Sequence, residues 1–360
     1  MTKNKFGIFI ATKNTYSMVE EWISLADYKK IPILNIDLNS EDKNKLYGEN
    51  LCKKNSINFL QCDGTEMQKN INQALEFFQN EYGISWVLYM HHDAFPMHKD
   101  TFDKLNSILE SSNSIKDFGV VGFNIFHDKA DLEIFSENKN QLMTTARTPL
   151  ELGNGYYSRS IESRVDYSKF KFKPYAVESV MWSTAMINYH QFKKHIKIDK
   201  NFNFFHSWED LAFQFLDKNI YNIVIPHIAF GHDQSLKRKH KIPVSSPNAK
   251  KNIVSKLYGR SDHLSVWKKK WGFNYSLSKQ LLGGDSYINR NGMINKILVI
   301  ISRLLNVDFS SSMETVARKT FKAYIKKNPY RKKTLIDAFN EHDPKSGPLK
   351  YFDIGLDDGI

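Results

Sequence analysis

An α/β architecture, built on a mixed, mainly parallel sheet flanked by helices, is predicted by the first 125 residues. Three observations predict it. Short apolar runs alternate with stretches of helical spacing. Each run ends in a polar cluster. Those clusters, Thr12–Asn14, Asp37–Ser40, Asp63 and His91–Asp93, carry residue types that bind ligands. Repeated strand–helix units imply a sheet covered on both faces. Ligands in such sheets sit at the carboxyl ends of the strands, so one shared site along one sheet edge is expected.

Taken in order, Lys5–Ala11 (KFGIFIA) reads as a buried first strand, and Ser17–Tyr28 has helical spacing. Ile31–Leu38 is the second strand and Asn58–Gln61 the third. Thr65–Gln79 brings Met67, Ile71, Ala74, Leu75 and Phe78 onto one helical face. Trp86–Met90 is the fourth strand and Phe118–Phe123 the fifth. Residues 127–175 read as a long irregular excursion with a Gly-Asn-Gly turn at 153–155. Val177–Ile187 returns to strand or helix, a helix opens at Ser207 and runs to about Lys218, and Ile220–Ile225 is a late strand. From residue 245 the pattern turns helical, with helices expected at 252–258, 262–271, 293–305 and 314–326. The stretch 343–360, with Pro, Gly and acidic residues, reads as a loose tail.

Hydrophobic residues make up 41% and aromatics 13% of the 360 residues, which supports a sizeable core and argues against a disordered chain. The net charge is +12, and it is concentrated: Lys237–Gly272 holds eleven basic residues against one acidic residue, Asp262. Such a strip suits phosphate-bearing partners or, residue by residue, a solvated face. Nucleic acid is not expected as the partner, since no zinc finger, RNP-like aromatic motif or basic zipper accompanies the strip. The two cysteines, Cys52 and Cys62, form no CxxC pair, as suits a reducing compartment. The N-terminus reads as a strand rather than a signal peptide. Residues 293–305 (MINKILVIISRLL) are too few to span a bilayer. They suit a packed helix or, alternatively, an interfacial helix on anionic lipid.

Three stretches carry candidate chemistry. Tyr89–Pro96 delivers Asp93 to a strand tip, with His91 two positions earlier on the same side of an extended chain. Asp93 suits a metal ligand or, equally, a turn residue capping the next helix. Ser207-Trp208-Glu209-Asp210 opens a helix, and its Ser207/Asp210 spacing also fits a capping box. His232 follows the late strand and precedes the basic stretch. The aromatics Tyr258, Trp267, Trp271 and Phe273 read first as core packing and second as sugar-stacking surfaces.

Together these stretches resemble the GT-A glycosyltransferases, in particular the large inverting family that makes bacterial surface polysaccharides. The family's Asp-x-Asp metal motif appears as His91-His92-Asp93, similar to the branches that carry a His-x-Asp form. The likeness extends over about residues 5–272, closing at Trp271-Gly272. It implies a Rossmann-like GT-A domain over 1–272, followed by a mainly helical extension over 273–360 with a loose acidic tail. It implies nucleotide-sugar contacts at Thr12, Asn14, Asp37, Asp63, Asn70 and His92, and Mn²⁺ or Mg²⁺ held by Asp93, His232 and His91. It implies a catalytic base at Asp210, with Glu209 contacting acceptor or donor hydroxyls. The implied activity moves a sugar from a nucleotide-sugar donor to a glycan or lipid-linked acceptor, with inversion, in the cytoplasm or at the inner face of the membrane. The basic strip and residues 293–305 would supply a peripheral membrane contact. Two alternatives stand beside it: a nucleotidyltransferase with a related sheet, disfavoured because Ala11–Asn14 has no glycine, and a non-catalytic carbohydrate- or lipid-binding descendant. Donor sugar, nucleotide base and oligomeric state are not encoded in these motifs.

Overall fold

The computed structural model describes residues 4–25, 31–126, 174–177, 180, 183–202, 207–232, 266, 269–271, 352 and 354. The first half alternates strand and helix: β1 (Phe6–Thr12), α1 (Tyr16–Leu25), β2 (Ile33–Leu38), α2 (Asp42–Lys54), β3 (Asn58–Cys62), α3 (Met67–Tyr82) and β4 (Trp86–Met90). There follow β5 (Ala94–Pro96), α4 (Thr101–Ser111), β6 (Val120–Phe126), β7 (Tyr175–Val177), β8 (Thr184–Asn188), α5 (Tyr189–His195), α6 (Ser207–Asp217) and β9 (Asn222–His232).

These strands form one nine-stranded sheet in the order β3-β2-β1-β4-β8-β6-β9-β5, with β7 also paired to β9. The four strands β3, β2, β1 and β4 run parallel. β8 then runs against both β4 and β6, while β6 and β9 are parallel. The α/β class and the mixed, mainly parallel sheet expected from sequence are therefore what forms: β1, β2, β3, β4, β6 and β9 point one way, and β5, β7 and β8 the other. Strand direction is not written in an apolar run. The 184–188 run looks like any buried strand, and only its partners reveal that it is reversed.

β1, β2, β4 and β8 are buried along their whole length, as central strands covered on both faces should be. Their alternate residues feed two cores. Phe9, Leu34, Ile36, Tyr89 and Ile187 meet α3, α5 and α6 through Ile71, Phe78, Phe192, Trp208 and Phe215. Phe6, Ile8, Ile10, Leu88 and Met90 meet the other layer through Trp22, Cys52, Phe102 and Leu105. The predicted face of α3 is buried at all five positions. Gly7 lets that helix settle, because a Cβ there would overlap the Phe78 ring.

Three helices escaped the sequence reading: α2, α4 and the short α5. α2 is mostly polar and buries only Gly48, Leu51 and Cys52. α4 buries Thr101, Phe102, Leu105 and Ile108, a spacing that was present to be read. Within the stretch 343–360 the described residues are Phe352 and Ile354. The Phe352 amide donates to the Pro174 carbonyl at 2.8 Å, its ring packs 4.8 Å from that of Phe118, and Ile354 is buried in the sheet core. The excursion at 127–173, the basic residues 237–260, the helix at 293–305 and the rest of the 273–360 extension lie outside the described residues. Among the described residues, no helix is long and apolar enough to cross a membrane.

Candidate functional site

The tips of β1, β2, β3 and β4 lie side by side, because these strands are parallel neighbours. Asp63, Asp37, Thr12 and Asp93 consequently share one sheet edge, spanning three strand spacings or about 14 Å. They do not share one environment. Asp63 is exposed, whereas Thr12 and Asp37 are fully buried. The Tyr16 hydroxyl donates to Asp37 Oδ2 at 2.6 Å, and the Ser40 amide donates to Asp37 Oδ1 at 2.8 Å. The Thr12 hydroxyl donates to Asn35 Oδ1 at 2.6 Å, and the Asn35 amide donates onward to the Tyr16 hydroxyl at 3.3 Å. Thr12 and Asp37 thus brace the β1 and β2 tips from beneath. Asn14, at φ 54°, and Asn39, at φ 59°, take left-handed turns that asparagine tolerates. The Asn14 amide donates to the Ser40 hydroxyl at 2.9 Å, and Asn14 Oδ1 accepts from the Glu41 amide at 2.9 Å, locking the two tips together.

The β4 tip is the densest cluster of ligating atoms. The His91 amide donates to the Ser183 carbonyl and the Ala94 amide to the His91 carbonyl, each at 2.8 Å, which folds the chain tightly around Asp93. β5 then pairs antiparallel with β9, setting Ala94 opposite His232. That register brings His232 Nε2 to 2.9 Å from Asp93 Oδ1, and His91 Nδ1 contacts the same oxygen. Gly231 is required here, since a Cβ would overlap the Phe95 ring. The His91 and His92 rings lie 4.1 Å apart, and His232 meets His91 edge-on at 5.6 Å. One ligand atom from each of His91, His92 and Asp93 falls within a 4.8 Å span, a group that could hold a metal ion. Burial works against the charge on Asp93, yet His232 and His91 beside it hold its carboxyl well below the usual carboxylate range. Capping of the next helix is not its role, because β5 intervenes before α4 begins at Thr101.

Asp210, expected as the base, lies at the start of α6 and is fully buried. Its Oδ2 accepts from Gln68 Nε2, Gln214 Nε2 and Lys270 Nζ, each at 2.8 Å, and its Oδ1 accepts from Trp271 Nε1 at 2.8 Å. Burial pushes its carboxyl up, against the opposing pull of Lys270 and the other donors. Glu209, its neighbour, is also buried. The Ser207 hydroxyl donates to the Phe202 carbonyl at 3.3 Å, so the capping-box spacing serves a wider network. Trp208, two positions before Asp210 in α6, packs its ring 5.4 Å from that of Tyr89 in β4.

Several buried polar atoms near these elements make no hydrogen bond among the described residues: both amide atoms of Asn70, the Tyr89 and Ser183 hydroxyls, and Trp208 Nε1. Buried polar atoms without protein partners call for a ligand or water. Asn70 is among the residues that the resemblance singled out; Tyr89, Ser183 and Gln68 are not, because a polar side chain inside an apolar strand or at a helix start reads as ordinary packing. Lys270 disappeared into the basic strip.

No protein-family model matches the chain, and no curated protein matches its sequence. Solved structures do resemble it. A mannosyltransferase from Pyrobaculum calidifontis in complex with GDP-Man and Mn²⁺ is 11% identical, with a TM-score of 0.45, over 91% of this chain and 87% of that one. GalNAc-T7 with UDP, GalNAc and Mn²⁺ is 12% identical, with a TM-score of 0.47, over 89% of this chain and 58% of that one. Residues 1–349 of S. aureus TarS are 12% identical, with a TM-score of 0.40, over 85% of this chain and 93% of that one. At these identities the function rests on the geometry of the site itself.

Proposed function

We propose that this chain is a metal-dependent glycosyltransferase of the GT-A type, using a nucleotide-sugar donor and a hydroxyl acceptor. The observation that carries the reading is the convergence of Asp93, His91 and His232 at a strand tip. A carboxylate with imidazoles suits Mn²⁺ better than Mg²⁺, which prefers oxygen ligands. Asp93, His232 and His91 would hold the ion, with His92 beside them. Bound there, a divalent cation supplies positive charge for a diphosphate leaving group.

The chain's own groups supply the rest. Thr12 and Asp37 keep the β1 and β2 tips rigid, and Asn14 and Asp63 present polar groups along the same edge for the nucleoside. Asn70 offers an amide donor and acceptor to the donor sugar. A carboxylate of the Glu209–Asp210 pair takes the acceptor proton as the glycosidic bond forms, with inversion at the anomeric carbon, a contribution of ~10²–10⁴ in rate. A glycan or lipid-linked acceptor is proposed, made in the cytoplasm or at the inner membrane face. The lipid-linked form draws on the basic strip and on residues 293–305.

A panel of GDP-, UDP- and dTDP-sugars with Mn²⁺, read by thermal shift and by donor hydrolysis, tests the reading. At least one donor should stabilise the protein only when Mn²⁺ is present, because a ligand that binds the native state stabilises it by mass action. Indifference to every donor, with and without Mn²⁺, would reject it.

A further inference from the structure

We infer that Asp210 is a positioning residue, a carboxylate clamp that docks the helical turn at 269–271 onto α3 and α6 and so fixes the pose of Glu209. The assignment of Glu209 as the base rests on the proposed glycosyl transfer; the clamp itself does not.

The argument begins with capacity. An ionised carboxylate is an acceptor with about four lone-pair sites. Four side chains already donate to Asp210, three to Oδ2 and one to Oδ1. A base must come within hydrogen-bond reach of the proton it removes. Oδ2 is filled by three of these donors and the whole carboxylate is buried, so a substrate hydroxyl could reach Asp210 only if one of the groups covering it moved aside.

The donors come from three separate parts of the chain. Gln68 opens α3, and its Nε2 also donates to the Ser207 carbonyl at 3.2 Å. Its Oε1 accepts from the Asp199 amide at 2.9 Å. Gln214 lies one turn along α6, and its Oε1 accepts from the Lys197 amide at 2.9 Å. Lys270 and Trp271 arrive from about sixty positions downstream, as the sequence separations of 60 and 61 record. Lys270 Nζ also sits 3.2 Å from Asp199 Oδ2 and 5.3 Å from the centre of the Phe202 ring. The Trp271 ring packs edge-on against Phe213 at 5.5 Å and is itself buried. One carboxylate therefore ties together the start of α3, the first turns of α6, the 197–202 segment and the 269–271 turn. Glu209 is the next residue along α6, so whatever anchors Asp210 anchors the backbone that aims Glu209.

A double-mutant cycle on the full chain tests the clamp. Asp210→Asn and Lys270→Met should each lower Tm by roughly 3–10 °C, the size expected when charge-assisted hydrogen bonds to a buried carboxylate are lost. The double variant should be little worse than the worse single variant, because both remove the same interaction. Hydrogen exchange at 269–271 should quicken in every variant. If Asp210→Asn does not fold, Trp271→Phe with Asp210 intact should still quicken that exchange. In active enzyme, the pH profile of kcat/KM should keep its acid limb in Asp210→Asn, with a lowered plateau, and lose it in Glu209→Gln. Strictly additive losses, or unchanged exchange at 269–271 in all variants, would overturn the clamp. Loss of the acid limb in Asp210→Asn alone would make it the base. If no donor were turned over, the stability and exchange arms would still decide the clamp, and only the transfer reading would fall.

Discussion

The β4 tip and the start of α6 each bury an aspartate almost completely, and the two are built to opposite ends. Asp93 is met by imidazoles, groups that ligate metal as readily as they donate hydrogen bonds. Asp210 is met by an ammonium, an indole and two amides, which can donate but, as placed here, do nothing else for it. Burial alone does not separate a functional carboxylate from a structural one; the chemistry of its partners does. The first site is left ready to exchange its contacts for a cation, while the second is closed by its own donors.

The comparison predicts unequal costs for the same substitution. Asp210→Asn should destabilise the protein by about 1–3 kcal/mol, because four donors lose a charged acceptor in a fully buried setting while the half-buried Lys270 keeps only Asp199 as its carboxylate partner. Asp93→Asn should stay within ~1 kcal/mol of the parent without added metal, since an amide oxygen still accepts from an imidazole N–H. Chemical denaturation of both variants measures this, and equal losses would erase the distinction.

The next effect concerns metal. Saturating Mn²⁺ should raise the stability of the parent chain by about 2–4 kcal/mol. His91→Ala and His232→Ala should each weaken Mn²⁺ by roughly 10–100-fold or more, the lower bound being what loss of an outer-shell partner costs. Titration calorimetry reads these directly, and unaltered affinity in both would remove the imidazoles from the site.

The pH dependence sharpens the same point. Asp93 is held well below the usual carboxylate range, so its charge persists as the solution is acidified. Any stability it adds is present above the unfolded carboxylate pKa and is lost only as pH falls through the depressed folded value. Mn²⁺ affinity should nevertheless decline at mildly acid pH, because an imidazole must be unprotonated to ligate. A decline confined to strongly acid conditions would assign the binding to carboxylates alone.

The smallest effects lie in the scaffold beneath. Gly7→Ala should cost about 1–3 kcal/mol through its clash with Phe78, without changing Mn²⁺ affinity. Cys52 and Cys62 should resist alkylation in the native protein. Both are buried, and burial, with the charge of Asp37, pushes the Cys52 thiol up to about 12. Rapid native-state labelling of either would mean that the β2 and β3 region opens readily.

Much of this arrangement was legible in the sequence, and the limits have physical causes. Period and polarity mark a strand and its tip, so β1 to β4 and the row Thr12, Asp37, Asp63 and Asp93 could be read locally. The reversal of β8 could not, because an isolated strand carries no sign of its neighbours' direction. His232 was placed beside Asp93 only by its position after a late strand and by family likeness; the β5–β9 pairing that supplies the physical cause is three residues long. The surroundings of Asp210 were hidden for the same reason. Its helix-start position suits a base, and the donors that fill it come from Gln68, far upstream, and from Lys270 and Trp271, far downstream.

The central claim, that the β4 tip binds a divalent cation for a nucleotide-linked sugar, is tested most directly by electron paramagnetic resonance of Mn²⁺ titrated into the full chain with and without nucleotide sugar. The account predicts one bound Mn²⁺ per chain, a changed spectrum on addition of the cognate donor, and loss of both in Asp93→Ala with the fold preserved. Undiminished Mn²⁺ binding and an undiminished donor response in folded Asp93→Ala would contradict it.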